Sequence, residues 1–126
     1  LVEAEWDAAT AKAAELLKSV KASEIMVLGS AKATNEDNYA LVRFAKEVLN
    51  TSNVDFFRYD NASFGDEKLR RSDMTPNSTG AVEVGVKPAS GGVSAKDLTA
   101  KISSGAIKAL YVMEDDIAVI SPELAS

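Results

Sequence analysis

Ile25-Met26-Val27-Leu28-Gly29-Ser30, followed a few residues later by Thr34-Asn35-Glu36-Asp37, decides the fold. Four apolar residues in a row ending at a glycine read as a strand covered on both faces, the pattern of a parallel sheet. Thr34 then reads as a helix cap: its hydroxyl can accept from the amide of Asp37, and the acidic side chains suit the positive helix end. Apolar residues continue through Tyr39, Leu41, Val42, Ala45, Val48 and Leu49, so a helix is predicted over 35–49. Asn50 closes it in a left-handed conformation, and Val54–Phe57 begins a second strand. The unit is strand, helix, strand, with a right-handed crossover expected.

Working outward, Trp6, Ala9, Ala13, Leu16, Leu17 and Val20 recur every three or four residues, which predicts a helix over 5–20 with one buried face anchored by Trp6. Asp66–Arg71 reads as a short helix with a solvated, mixed-charge surface around Lys68, Arg70 and Arg71. From Asp73 to Gly92 the chain holds Pro76, Gly80, Gly85, Pro88, Gly91 and Gly92, so a long loop is predicted over 73–92. Loops of that length are commonly functional or partner-bound, and alternating Val82, Val84 and Val86 suit an edge strand that pairs outside the domain. Ser94 reads as an N-cap paired with Asp97, with Val93 stapled on Leu98, for a helix over 94–104 ended by Gly105. Ile107–Met113 supplies a third strand, and Ile117–Ile120 a fourth extended piece. The alternation predicts a single α/β domain over 1–126: a three-layer, Rossmann-like arrangement with a mainly parallel sheet and helices on both faces.

Composition narrows the chemistry. The 126 residues include no Cys and no His, which removes thiolate and imidazole ligands together with Cys–His and Ser–His nucleophile pairs. A net charge of −5 repels phosphate backbones, so nucleic acid is not expected as a partner. No apolar run approaches bilayer length, and the start Leu1-Val2-Glu3 has neither a basic nor an apolar leader region, so direct membrane insertion is not expected. A first residue other than Met beside an immediate amphipathic pattern suggests a fragment of a longer chain.

Several segments carry groups that can bind. The turn Gly29-Ser30 before Thr34-Asn35 aims a helix end at a possible anion, but it matches neither glycine-rich phosphate fingerprint, and Glu36 and Asp37 already supply negative charge. Ser30 and Lys32 are close in sequence, without the S-x-x-K or K-T-G pattern of a Ser/Lys nucleophile. Glu114-Asp115-Asp116 reads as a solvated edge in preference to a cation site, since consecutive residues rarely converge on one ion. Thr75-Pro76-Asn77-Ser78-Thr79-Gly80-Ala81 reads as hydroxyl and Asx turns. The sequons at Asn50, Asn61 and Asn77 matter only in a secreted glycoprotein.

Taken together, the segments resemble a known superfamily. Trp6-Asp7-Ala8-Ala9 resembles the W-x-x-A helix start of molybdopterin oxidoreductases, and Gly29 to Tyr39 their T-N-E-x-N-Y segment. Thr51-Ser52-Asn53-Val54-Asp55 resembles the T-N-N-V-D that follows it. Thr75 to Ala81 and Gly105 to Val112 resemble the P-N-x-x-G-A and G-x-I-K-A-L-Y-V segments of the large iron–sulfur subunit of NADH:quinone oxidoreductase. The resemblance spans most of residues 6–113.

The resemblance implies a supporting domain of such a respiratory subunit, or the pterin-dinucleotide-binding domain of a relative such as a formate dehydrogenase large chain. An independent small-anion-binding module is the remaining reading. By matched position the cofactor-facing residues are Ser30, Thr34, Asn35 and Glu36. The NADH:quinone oxidoreductase branch generally lacks molybdenum, and Phe56-Phe57-Arg58 stands here where cofactor-bearing members often have Cys. The segment by itself is expected to bind no cofactor and show no redox activity. The parent would carry iron–sulfur clusters and, in the second branch, molybdopterin guanine dinucleotide. The partners implied are the parent's remaining domains and the other subunits of a respiratory complex, in the cytoplasm and peripheral to the inner membrane.

Overall fold

A computed structural model describes residues 2–120 and Pro122. Leu1, part of the start read above, lies outside them.

Three strands form one sheet: β1 (Ile25–Leu28), β2 (Val54–Asp55) and β3 (Ala109–Val112). The order is β2-β1-β3 with β1 central, and both pairings are parallel. All four residues of β1 are buried, as a continuous apolar run requires. Successive side chains of β1 point to opposite faces, and each face has its own core. Ile25 and Val27 pack with Val54 and Phe56 against Leu41, Val42, Ala45, Ala81 and Val86. Met26 and Leu28 pack with Ala95, Leu98 and Ile107 on the other side. Helices therefore cover both faces, and the α/β architecture is as predicted. The strands are shorter than read, because β2 ends at Asp55 and β3 begins only at Ala109.

Helix α1 spans Trp6–Lys18 and α2 spans Asn35–Arg43, continuing as one π turn over Phe44–Val48. Thr34 caps α2 as predicted, its Oγ1 accepting from the amide of Asp37. Asn50 follows with φ of 52°, the left-handed exit expected of it. Helix α3 spans Ser78–Glu83 and α4 spans Leu98–Ser103, the latter preceded by a 3-10 turn over Ala95–Asp97. Ser94 holds the extended N-cap conformation, but its hydroxyl donates to the Asp97 carboxylate and accepts no amide. Gly105, with φ of 73°, ends that helix.

Five expectations are corrected. Trp6 anchors nothing: it is 82% exposed, and α1 has no buried residue. Residues 66–71 are not helical, because the Asp66 carboxylate accepts from the amides of Lys68, Leu69 and Arg70 and ties the segment into a turn; Arg70 also pairs with Asp66. Val82, Val84 and Val86 form no edge strand. They lie on α3 and its exit, where burial of Ala81 and Val86 against the sheet favours a helical approach. Ile117–Ile120 is a helical turn, α5, and not a strand. Glu114-Asp115-Asp116 is not a simple solvated edge, because the Asp115 side chain is buried.

Candidate functional site

In an open parallel sheet, the crevice for a ligand lies outside the carboxyl ends of the strands, where successive connections leave the central strand in opposite directions. Here that switch point lies between β1 and β3. The chain leaves β1 toward β2 through α2, then returns past β1 to β3. The loops that meet there are Gly29–Ala33 after β1 and Met113–Asp116 after β3, with Tyr59 reaching in from beyond β2.

Three side chains converge. Tyr59 donates its hydroxyl to Oδ1 of Asp115 at 2.7 Å. The Lys32 ammonium sits 3.3 Å from the same oxygen and 3.3 Å from the Tyr59 hydroxyl. It also lies 4.3 Å from the centroid of the Tyr59 ring, close enough for cation–π attraction. The Asp115 side chain is 1% exposed whereas that of Lys32 is 51% exposed, so a buried carboxylate is approached by a cation with its head in water. Oδ2 of Asp115 is buried and has no hydrogen-bond partner among the described residues. An unmatched buried acceptor costs about 1–3 kcal/mol, so this oxygen marks a place where a donor would be stabilising.

The titratable groups follow from these contacts. Hydrogen bonds to Tyr59 and then to Asp115 raise the Lys32 pKa, so its ammonium form is reinforced. Burial first, and then the bond to Asp115, raises the Tyr59 phenol above its ordinary value. The cluster therefore holds a cation and a neutral phenol in place beside Asp115; neither Lys32 nor Tyr59 is shifted toward giving up its proton at neutral pH.

Of the residues matched by resemblance, Ser30 lies at the carboxyl end of the central strand, between the β1 and β3 loops. It is fully buried, its hydroxyl accepts from the Lys32 amide, and it donates to the Glu114 carbonyl at 3.4 Å, joining the two loops. Its own amide donates to Oδ1 of buried Asn38, whose Nδ2 returns a bond to the Ser30 carbonyl. Gly29 makes this possible, since a Cβ there would come within 2.8 Å of both Asn38 Oδ1 and Val86 Cγ1. Thr34, Asn35 and Glu36 are exposed along the start of α2. Asn35 Oδ1 accepts from Asn77 Nδ2, which also donates to the Ala33 carbonyl, so the start of α3 braces the start of α2.

Ser30 and Lys32 share a loop, but Ser30 Oγ is bonded to backbone groups and the Lys32 ammonium to Asp115 and Tyr59, so they do not form a nucleophile pair. Among the described residues no group of three His, Cys, Asp or Glu could hold a metal ion, and no helix is long and apolar enough to cross a membrane.

Sequence reasoning singled out Ser30 by resemblance and missed the Lys32–Tyr59–Asp115 cluster. The switch-point rule was a usable signal for Lys32 and Asp115, since both follow parallel strands. Tyr59 carried none, because it follows β2, which lies on the far side of β1 from the switch point.

No family model matches the chain, and no solved structure matches it. Similarity is found to formate dehydrogenase alpha subunits. The F420-dependent formate dehydrogenase 1 and 2 alpha subunits of Methanococcus maripaludis are each 44% identical, over 55 and 54 residues. The F420-dependent formate dehydrogenase alpha subunit of Methanocaldococcus jannaschii is 48% identical over 54 residues. Each match covers 43–44% of this chain and 8% of the relative's length, so the similarity is to a small part of a much larger protein.

Proposed function

We propose that this chain is an α/β domain of a molybdenum oxidoreductase of the formate dehydrogenase type, and that its switch-point crevice lies against the pterin guanine dinucleotide. What carries the reading is the buried, unmatched Oδ2 of Asp115 at the carboxyl end of the sheet. The 44–48% identity to formate dehydrogenase alpha subunits supports it, and makes this branch the leading one over the NADH:quinone oxidoreductase subunit. When bound, the molybdenum–pterin group supplies the redox chemistry, and the protein supplies binding and orientation.

The residues present suit such a group. Asp115 Oδ2 is a buried acceptor for the N–H edge of a guanine or pterin ring. Lys32, half-exposed beside it, is a cation for the diphosphate. Tyr59 and Ser30 fix the Asp115 loop and the β1 loop in place, and Thr34, Asn35 and Glu36 form the rim. Substrate binding and the redox chemistry belong to the parent enzyme; this domain contributes one wall of the cofactor site and no reacting group.

A direct test titrates the protein with molybdopterin guanine dinucleotide extracted from a formate dehydrogenase, following pterin fluorescence. Saturable binding that weakens at least about tenfold in Asp115→Ala, a loss of roughly 1.4 kcal/mol, is the expected result. Binding of equal strength to wild type and variant, or none to either, contradicts the proposal.

A further inference from the structure

Helix α1 meets little of its own domain. None of its residues is buried, and Trp6 and Leu16 are 82% and 57% exposed. Its hold on the core comes from Leu17 and from Val20 just beyond its end, both partly buried against the α2 side. The outward side is nevertheless apolar. Trp6, Ala9, Ala13 and Leu16 follow at intervals of three, four and three, the a and d spacing of a coiled-coil seam. The partner this spacing fits is another helix, because knobs so spaced enter the holes between four residues of a facing helix.

Among helices, the stripe suits its own copy run antiparallel. Turned end for end about Ala11, it repeats itself by size: Trp6 falls opposite Leu16, and Ala9 opposite Ala13. Large side chains then close the ends, while alanines let the axes come close in the middle. Charge agrees with this direction. Glu3, Glu5 and Asp7 lie toward the N-terminal end, and Lys12, Lys18 and Lys21 toward the other, with Glu15 their acidic neighbour. A parallel pair would set like on like; an antiparallel pair lays the acidic end on the basic end with the helix dipoles opposed.

We infer that two copies of this chain associate through an antiparallel α1–α1 seam built on Trp6, Ala9, Ala13 and Leu16. Such an interface is isologous, as a two-fold dimer requires. A helix of 13 residues gives a seam of about 20 Å, short for a coiled coil, so the dimer is concentration dependent.

The test is analytical ultracentrifugation of the full chain from low micromolar to near-millimolar concentration, with the emission of Trp6 followed in parallel. The expected result is a reversible monomer–dimer equilibrium with a blue shift of Trp6 emission as dimer forms. Trp6→Glu and Ala13→Glu should each weaken it at least about tenfold. Both sites are exposed, and circular dichroism verifies that each variant is folded. For direction, Ala9→Cys and Ala13→Cys proteins are mixed and oxidised, and the mixed disulfide should predominate over either symmetric one. A monomer at every concentration, an unchanged dimer in both glutamate variants, or predominance of the symmetric Ala9→Cys disulfide overturns the inference.

Discussion

Tyr59 and Asp115 are joined across 56 positions of sequence by a 2.7 Å hydrogen bond from phenol to carboxylate. That bond ties the segment beyond β2 to the loop after β3, over the end of the central strand, and leaves the second Asp115 oxygen buried and unmatched. The crevice wall is thus held by a contact that no local sequence pattern specifies.

Removing that contact should loosen the sheet's carboxyl edge. Tyr59→Phe is expected to cost about 1.5–3 kcal/mol, the range for a hydrogen bond to a charged group. Lys32→Met should cost less, because its half-exposed head is screened by water. Urea unfolding of the two variants checks the order; a larger loss for Lys32→Met would show that the ion pair, and not the phenol, holds Asp115.

The fold was largely legible in the sequence, and the site was not. Ile25–Leu28 and the Thr34 cap are local signals: an apolar run and a hydroxyl three residues before an amide. Each survives folding because tertiary packing reinforces it. Trp6 misled because periodicity shows which side of a helix is apolar and cannot say what that side meets. Residues 66–71 misled because one carboxylate, Asp66, captured three amides in place of the helical pattern. Asp115 lay inside an acidic run that reads as solvated, and its burial depends on where β3 ends relative to Lys32 and Tyr59.

Acid should loosen the segment around 60–75 first. Backbone amides of Arg70, Leu69 and Lys68 hold the Asp66 carboxyl far below its ordinary value, and bonds from Thr75 lower Asp73. Carboxyls depressed in the fold contribute stability that is present above their unfolded pKa, about 4, and is lost as pH falls through the folded one. Amide resonances of Lys68, Leu69, Arg70 and Thr75 should hold their positions down to about pH 4 and move below it. Movement beginning near neutrality would contradict this assignment. At the other end, the raised Tyr59 phenol contributes stability present below about pH 10 and lost as pH rises through its folded pKa, which phenolate absorbance follows.

Adjacent glycines should respond differently to alanine. A Cβ at Gly91 meets nothing within 4 Å, and the cost there is the left-handed φ of 78°, about 1–2 kcal/mol. A Cβ at Gly92 would overlap the Ser52 carbonyl oxygen, which is backbone and cannot swing aside. Gly92→Ala should therefore lower the melting temperature more than Gly91→Ala; equal shifts would mean that the Ser52 turn yields freely.

Core and stripe should separate cleanly in dilute solution. Leu98→Ala removes a fully buried side chain from beneath the sheet and should cost about 2–5 kcal/mol. Trp6→Ala, at concentrations where the chain is monomeric, should change stability by less than about 0.5 kcal/mol. A large loss for Trp6→Ala would place that residue in the domain's own core.

The proposed guanine dinucleotide site lies between the β1 and β3 loops. The most direct measurement is a titration of isotope-labelled protein with guanosine diphosphate, followed residue by residue by NMR. Shifts are expected to concentrate at Ser30, Lys32, Thr34, Asn35, Tyr59 and Asp115, and to be lost in Asp115→Ala. Shifts confined to the opposite edge of the sheet, around Asn50, Ser52 and Ser90, or no shifts at all, would contradict it.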